Sequence, residues 1–378
     1  MGQMTFAEQT EFRDWLRGGL GRTAPLSRTR VLVESNQRTD PALWSELAEF
    51  GVMGLAVPEE FGGSDAGWLA LSIFLNEAGR VLLPTAYLST TVLAPWILQA
   101  PADAALRQEL LPGIAAGEIR VGFADIDGKQ AVSTRPDGDQ IRLSGVKTTV
   151  IDGAVCDYFL VTVDDAATSP VYVVDASDPG VVVSQGRPLD ETRPAATVTF
   201  TDVPARSLGS EHAATDVAAS ARELLAIALA AEGVGAAEQC LDMSVEYAKI
   251  REQFGRPIGQ FQAIKHKCAD MFVGVQASYA AVHAAFQRID ETGALDPIQA
   301  KVTASYVSAA LMSAASETMQ IHGGIAFSWE HDAHLYLKRA ASDQILLGGP
   351  DRQIAALADN LLDGGKSVLE LISGQGAS

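Results

Sequence analysis

REQFGRPIGQFQAIKHKCADMF, residues 251–272, joins a helix end, a breaker and a second helix in one block. Upstream of it, Ala221 to Lys249 is rich in alanine, leucine and glutamate and contains no proline, which predicts one long helix closing at the block. Gly255 and Pro257 stop that helix, because proline lacks the amide donor and restricts Arg256 before it. From Gln262 to Phe272 an apolar spacing resumes and predicts a second helix. The corner between them carries Arg251, Phe254, Arg256 and Gln262. A cation, a stacking face and an amide suit a phosphate-bearing ligand or a neighbouring subunit; basic residues at a helix C-terminus are also favoured by the dipole alone.

Working outward, the N-terminal part reads as helices over Glu8–Leu20, Pro41–Phe50, Trp68–Gly79, Pro84–Leu98 and Asp103–Ala116. Asp40 is placed to cap a helix with proline at its first position, and Gly51 stands where a C-terminal glycine belongs. Ala56 to Gly67, AVPEEFGGSDAG, is a loop. From Ile119 the texture changes to short β-branched runs, IRVGFAD, QIRLSGVKTTVI, DYFLVTVD, PVYVVDA, GVVVSQ and ATVTFTDV, which predict an antiparallel β-domain. Beyond the opening block, Tyr279–Thr292 and Asp296–Met319 read as helices, Gln320–Ala340 as an interruption, and Ser342–Leu347 and Pro350–Leu362 as the closing elements. The expected class is α+β, mostly α, with a helical domain over 1–118, a β-domain over 119–207 and a helical bundle over 208–378.

A chain of 378 residues can bury a large core and fits two or three domains. Its formal net charge of −19 argues against a nucleic-acid partner, since polyanion binding draws on clustered lysine and arginine. Cys156, Cys240 and Cys268 lie far apart, lack zinc or disulfide spacing and read as buried thiols. The N-terminus lacks the apolar core of a signal peptide and no stretch reaches the length of a membrane span, so a cytoplasmic location is expected, with no membrane partner.

Four features together resemble the acyl-CoA dehydrogenase family over nearly the whole chain: VPEEFGG (Val57 to Gly63), the block from Arg251 to Met271, QIHGGIAFSWEHDAHLYLKRA (Gln320 to Ala340), and the helix–β–helix order. The resemblance implies a flavin enzyme that removes two hydrogens across the α,β bond of an acyl-CoA thioester. It implies FAD lying between subunits of a dimer or tetramer. By similarity Arg251 and Phe254 reach the diphosphate and adenine of FAD held by the neighbour, with Phe261 and Gln262 nearby. Gln320, Ile321, His322, Gly323 and Gly324 do likewise, since close backbone approach needs glycine and a diphosphate needs fixed donors. His322, His331 and His334 form no metal site, for no carboxylate and cysteine set accompanies them.

The departures from the family carry the most information. The chemistry needs a carboxylate to take the α-proton while flavin accepts hydride. In the family that glutamate lies downstream of QxHGG just before a glycine, where this chain has Leu347, with Gly348 after it. Other members place it ten residues before the second glycine of a GxG-like turn; counting back from Gly235 gives Leu225. Asp343, Glu223 and Glu232 are the remaining acid candidates. The family motif KxWITNG, whose tryptophan covers the flavin ring and whose threonine bonds near N5, reads KTTVIDG, with Thr149 and Ile151 at those two positions. The family's TEP loop reads GFADIDGKQAV, Gly122 to Val132. Elements that would touch a neighbour's FAD are therefore present, while those that would hold and use the chain's own flavin are missing. Three readings follow: a partner subunit of a heteromeric acyl-CoA dehydrogenase, a self-sufficient dehydrogenase with a relocated base, and a helical scaffold without activity. By analogy with actinobacterial members, the first points to bulky acyl groups such as sterol side chains.

Overall fold

The computed structural model describes residues 4–349 except 36, 38, 101–103, 139, 165–168 and 210, together with 354, 355, 357 and 358. The helix expected over Pro350–Leu362 lies mostly outside the described residues. The chain opens with α1 (Phe6–Thr23), α2 (Leu26–Glu34), α3 (Pro41–Glu49), α4 (Trp68–Arg80), α5 (Ala94–Gln99) and α6 (Ala104–Ala115). Local chemistry sets several of these ends. Thr5 and Glu8 form a reciprocal capping box on α1, and Asp40 accepts from the Leu43 amide ahead of Pro41 at the start of α3. Two expectations change here. α2 was not anticipated: it starts on Pro25 with no side-chain cap and is held by Arg28 pairing with Asp40 and Glu46. Instead of one helix over Pro84–Leu98, a π-helical turn at Leu88–Leu93 leads into α5.

The β-layer comprises β1 (Val121–Ala124), β2 (Ser133–Asp137), β3 (Gln140–Ile151), β4 (Tyr158–Thr162), β5 (Val171–Asp175), β6 (Val181–Gln185) and β7 (Ala195–Ser207). Its strand order is β1-β4-β5-β7-β3-β2, with β6 also on β7. The pairs are antiparallel except β1 with β4, which run parallel, so the layer is mixed rather than purely antiparallel. β2 escaped the sequence reading because all five of its residues are exposed and no apolar alternation marks them. A separate core fills this layer, with Phe159, Phe200 and Val203 inside it.

The C-terminal part contains α7 (Glu211–Ile250), the two-residue strands β8 (Glu252–Gln253) and β9 (Arg256–Pro257), α8 (Gln262–Thr292), α9 (Pro297–His322) and α10 (Ala333–Leu346). Two expected breaks are absent: α8 runs unbroken through Val273–Ser278, and α10 begins at Ala333 rather than near Ser342. Gly233 to Gly235 is not a turn but lies inside α7. A Cβ on Gly235 would stand 1.7 Å from the Asn76 carbonyl oxygen, and one on Gly79 would stand 1.9 Å from that of Glu232. The glycines therefore let α4 and α7 touch backbone to backbone, and Asn76 donates to the Ala231 carbonyl across the crossing. Around this contact the largest core joins Leu16, Phe74, Leu224, Ile227 and Phe286, knitting the N-terminal helices to the bundle.

Val217–Ile250 is, by length and composition, long and apolar enough to cross a membrane, with a mean hydropathy of 1.4, which corrects the expectation that no stretch is. Within that helix the most apolar window is 72 % buried in the protein, against α4, α8 and α9.

Candidate functional site

The π-helical turn is stitched to the β-layer: Ser89 donates to the Ile151 carbonyl at 3.3 Å, and the Val121 amide donates to the Thr90 hydroxyl at 3.0 Å. Such turns widen a helix locally and often border functional sites. This one borders a cavity of about 630 Å³ between the π-turn, the β-layer, α7 and the end of α10. That volume falls within the range of small-molecule pockets.

Four positions singled out from the sequence meet on its wall: Thr149, Ile151, Leu225 and Leu347. Leu93, Phe123, Ile345 and Leu346 add to an apolar lining. Thr149 sits at a register irregularity of β3 with φ of 55°, an unfavourable conformation for a β-branched residue that the bulge imposes. The cavity's ionic group is Asp125, held by the Arg222 guanidinium at 2.8 Å, with Asp164 on the same guanidinium at 3.0 Å. Lys147, the first residue of KTTVIDG, is fully buried and pairs with Asp127 at 2.8 Å while donating to the Asp125 carbonyl.

The three candidate acids are not among the cavity's lining residues. Asp343 and Glu232 are buried, and both accept from Arg193. Arg339, only 2 % exposed, donates to Asp190 and to Thr192 and lies 3.7 Å from Glu232. Asp152, on a left-handed residue after Ile151, is buried within the field of both arginines. The cluster thus sets four carboxylates against two guanidiniums, joining the β-layer to α7 and α10. Burial pushes the Asp343 carboxyl up to about 6 against the pull of Arg193 and Arg339, and raises Asp152 well above the ordinary range. Asp190 is held below its ordinary value because Arg339, Arg193 and Thr192 outweigh burial. Glu223 is half-buried, its carboxyl raised by burial and lowered by Lys301 near the start of α9. Sequence reasoning missed Asp190, Arg193 and Arg339. The one available signal was the opposed charges of DETR at Asp190–Arg193.

At the far end of α7 the retained motif forms an outer corner. The Arg251 amide donates to the Tyr247 carbonyl, and β8 pairs with β9 through a turn in which Phe254 (φ 53°) and Gly255 (φ 74°) are both left-handed. This tight turn presents Phe254, 92 % exposed, edge-on to Phe261 at 6.1 Å. The Arg256 guanidinium lies 4.3 Å over the Phe261 ring. Arg251 is exposed and pairs with no carboxylate among the described residues. Gln262 is exposed and hydrogen-bonded to His266 at 2.8 Å. Gln320, at the end of α9, is exposed; Gly323 caps that helix at φ of 65°, and the space over Gly323 and Gly324 is open. Among the described residues no three histidine, cysteine or acidic groups gather as metal ligands. Of the cysteines, Cys240 is buried, whereas Cys156 and Cys268 are partly exposed, short of the burial expected for all three.

A flavin fits the two regions differently. Around the cavity, the positions for a ring-covering aromatic, an N5 hydroxyl and a base hold Thr149, Ile151 and leucines. The outer corner offers a cation with no carboxylate partner among the described residues, an exposed aromatic and open glycine backbone, which suit a nucleotide diphosphate.

Comparison with known proteins adds three findings. The family models described as acyl-CoA dehydrogenase, N-terminal domain and C-terminal domain match residues 7–118 and 215–362. Acyl-CoA dehydrogenase IpdE2 of Mycolicibacterium smegmatis is 35 % identical over 329 residues, covering 87 % of this chain and 90 % of that protein. Among solved structures, a variant of the Tcur3481-Tcur3483 steroid ACAD is 31 % identical with a TM-score of 0.85, covering 96 % and 99 % of the two chains. The ChsE4-ChsE5 complex from Mycobacterium tuberculosis is 28 % identical with a TM-score of 0.87 over the same shares.

Proposed function

Because the chain belongs to the acyl-CoA dehydrogenase family, we propose that it is the partner subunit of a heteromeric acyl-CoA dehydrogenase, completing the FAD site of a catalytic homologue. The observation that carries this reading is the division between its two regions. Leucines line the cavity where a base would act, and both buried acid candidates are committed to Arg193. Arg251, without a carboxylate partner among the described residues, Phe254 and the glycine turn stay exposed at the surface. In this role Arg251 pairs with the FAD diphosphate, Phe254 offers a stacking face to the adenine, and Gly323 and Gly324 admit the nucleotide close to the backbone. FAD, when bound, supplies the hydride acceptor, and the homologue supplies the base.

Two related solved structures support the heteromeric reading, since each is a pair of proteins, Tcur3481-Tcur3483 and ChsE4-ChsE5, and the first is a steroid ACAD. A bulky, fused-ring acyl group is accordingly the proposed substrate class of the assembled enzyme. The test is a flavin-to-protein ratio measured for the chain alone and after co-expression with a catalytic homologue. Flavin bound only in the mixed assembly supports the proposal. A chain that is yellow alone and bleaches on adding an acyl-CoA overturns it.

A second reading, a self-sufficient enzyme, draws on one observation: Asp343, pushed up to about 6, carries a proton affinity suited to a base, one turn before Leu347. Its burial and its bond to Arg193 count against it. Loss of activity in the isolated chain on Asp343→Ala would favour it.

A further inference from the structure

The outer corner is assembled from two pieces of chain, the Arg251 hairpin after α7 and the Gly323–Gly324 turn after α9, and a column of rings sits between their roots. Tyr247, on the last turn of α7, stacks on His322 with ring centres 4.4 Å apart and planes at 25°. His322 in turn packs on His331 at 4.5 Å. The column is anchored at several points. The Tyr247 carbonyl accepts from the Arg251 amide, so the residue that carries the first ring is tied through its backbone to the start of the hairpin. His322 Nδ1 donates to the Thr318 carbonyl at 2.8 Å, and the Thr318 hydroxyl bonds to Ser244 at 3.0 Å on α7. His331 Nδ1 accepts from the Ala333 amide at 3.1 Å, the first residue of α10.

That last bond dictates the tautomer. To accept at Nδ1, His331 must be neutral with its proton on Nε2. A second proton can enter only at Nδ1, which turns the acceptor into a donor facing an amide and places a cation at the positive end of α10. The charged and titratable groups around the column are Arg30 and Glu34 from α2, Tyr247 from α7, and Asp332, His334 and Lys338 from the start of α10. Burial lowers His331, opposed by Asp332 and assisted by His334 and Arg30. Burial likewise lowers His322, opposed by the Thr318 carbonyl and assisted by His331. The surroundings thus favour the uncharged column.

We infer that His331 is a positioning residue for the nucleotide-binding corner: uncharged, it fixes His322 and so the spacing of the glycine turn from the Arg251 hairpin, and protonation releases that spacing. The inference rests on the reading of this corner as a flavin-holding surface. It makes flavin retention by the assembled enzyme weaken as pH falls, through a group that touches neither flavin nor substrate.

The experiment measures FAD released from the co-expressed complex, by fluorescence after ultrafiltration, between pH 5 and 8. Release by the native complex is expected to rise about tenfold from pH 7.5 to 5.5, as a coupling of ordinary size produces. His331→Phe keeps a ring and removes the titration, so it should hold flavin near the native level at pH 7.5 and lose the acid limb. His331→Asn keeps an acceptor for Ala333 and removes the ring, so it should hold flavin more weakly at every pH. An unchanged acid limb in His331→Phe, or native retention in His331→Asn, overturns the inference. Arg251→Ala separates it from the reading beneath: unaltered retention there removes the corner as a flavin site, whereas weakened retention with an unaltered His331→Phe profile removes only the role of His331. Should both His331 variants misfold by circular dichroism, the native chain still decides. Its Ala333 amide resonance must shift as His331 titrates, and a resonance indifferent to that titration overturns the inference.

Discussion

Along α7, Arg222 and Leu225 face the inner cavity, while Tyr247 and the Arg251 that follows it build the outer corner. In the inner region Asp125, Glu232 and Asp343 are each held by an arginine, and apart from Asp125 and Arg222 the charged groups stand back from a mostly apolar wall. The outer region is the reverse, with Arg251 unpaired among the described residues and Phe254 almost wholly exposed. A monomer gains nothing by leaving an arginine without a carboxylate among the described residues and a phenylalanine almost wholly exposed near an open glycine turn. The contrast teaches that the chain's own stability is built into the inner region, and its capacity for recognition is left at the outer one.

The contrast can be broken most severely through Arg193. Arg193→Met leaves Glu232 and Asp343 buried without the cation that joins them, and is expected to cost about 3–5 kcal/mol of stability, read by chemical unfolding. An unchanged unfolding midpoint would mean that the cluster is not what fastens α7 and α10 to the β-layer.

Next in size is a pH effect. Asp343 titrates at about 6 in the folded chain, above the value of roughly 3.9 for an unfolded aspartate. A raised carboxyl binds its proton more tightly in the folded state, so its contribution to stability is full below about pH 4 and is lost as pH rises through 6. On the order of 3 kcal/mol is at stake. Asp343→Asn should flatten the stability profile between pH 4 and 7, and an unaltered slope in urea titrations would assign it to other groups.

Arg251→Ala addresses the outer region alone. It should leave the unfolding midpoint in place while flavin retention by the mixed assembly falls about ten- to hundredfold, the worth of a hydrogen-bonded charge pair. A fall in stability instead would make Arg251 a structural residue. The smallest expected effect is Leu347→Glu, which restores a carboxylate at the cavity wall but neither the ring-covering aromatic nor the hydroxyl at Thr149 and Ile151. No bleaching of flavin by an acyl-CoA is expected from that variant alone; turnover would show that the inner region lacks only its base.

Much of the architecture was legible because it rests on local rules. Asp40–Pro41 announced the start of α3, and β-branched runs marked most strands. α2 was illegible because its hold is tertiary, through Arg28 to Asp40 and Glu46 and Arg30 to Asp332. The glycines at 233 and 235 read as a turn, since sequence cannot distinguish a glycine needed for backbone rotation from one needed for close approach. For the site, counting from motifs located Leu225, Leu347, Thr149 and Ile151, and the fold brings these four to one cavity. The ionic cluster stayed hidden because Asp152, Asp190, Glu232 and Asp343 come from separate segments and meet only in the folded chain.

The contact of α4 with α7 has a consequence for how the chain reaches its native state. Asn76 and Ala231 are 155 residues apart, with the whole β-layer between them. At ribosomal rates of about 5–20 residues per second, α4 is made roughly 8–30 s before its partner exists. During that wait, the face of α4 around Asn76 and Gly79, which α7 meets backbone to backbone, lacks its final cover. Nascent chains stalled before Ala221 are expected to be cut by protease within α4 and to engage chaperones, while chains stalled beyond Ile250 resist; equal resistance at both lengths would show that the N-terminal helices close on their own.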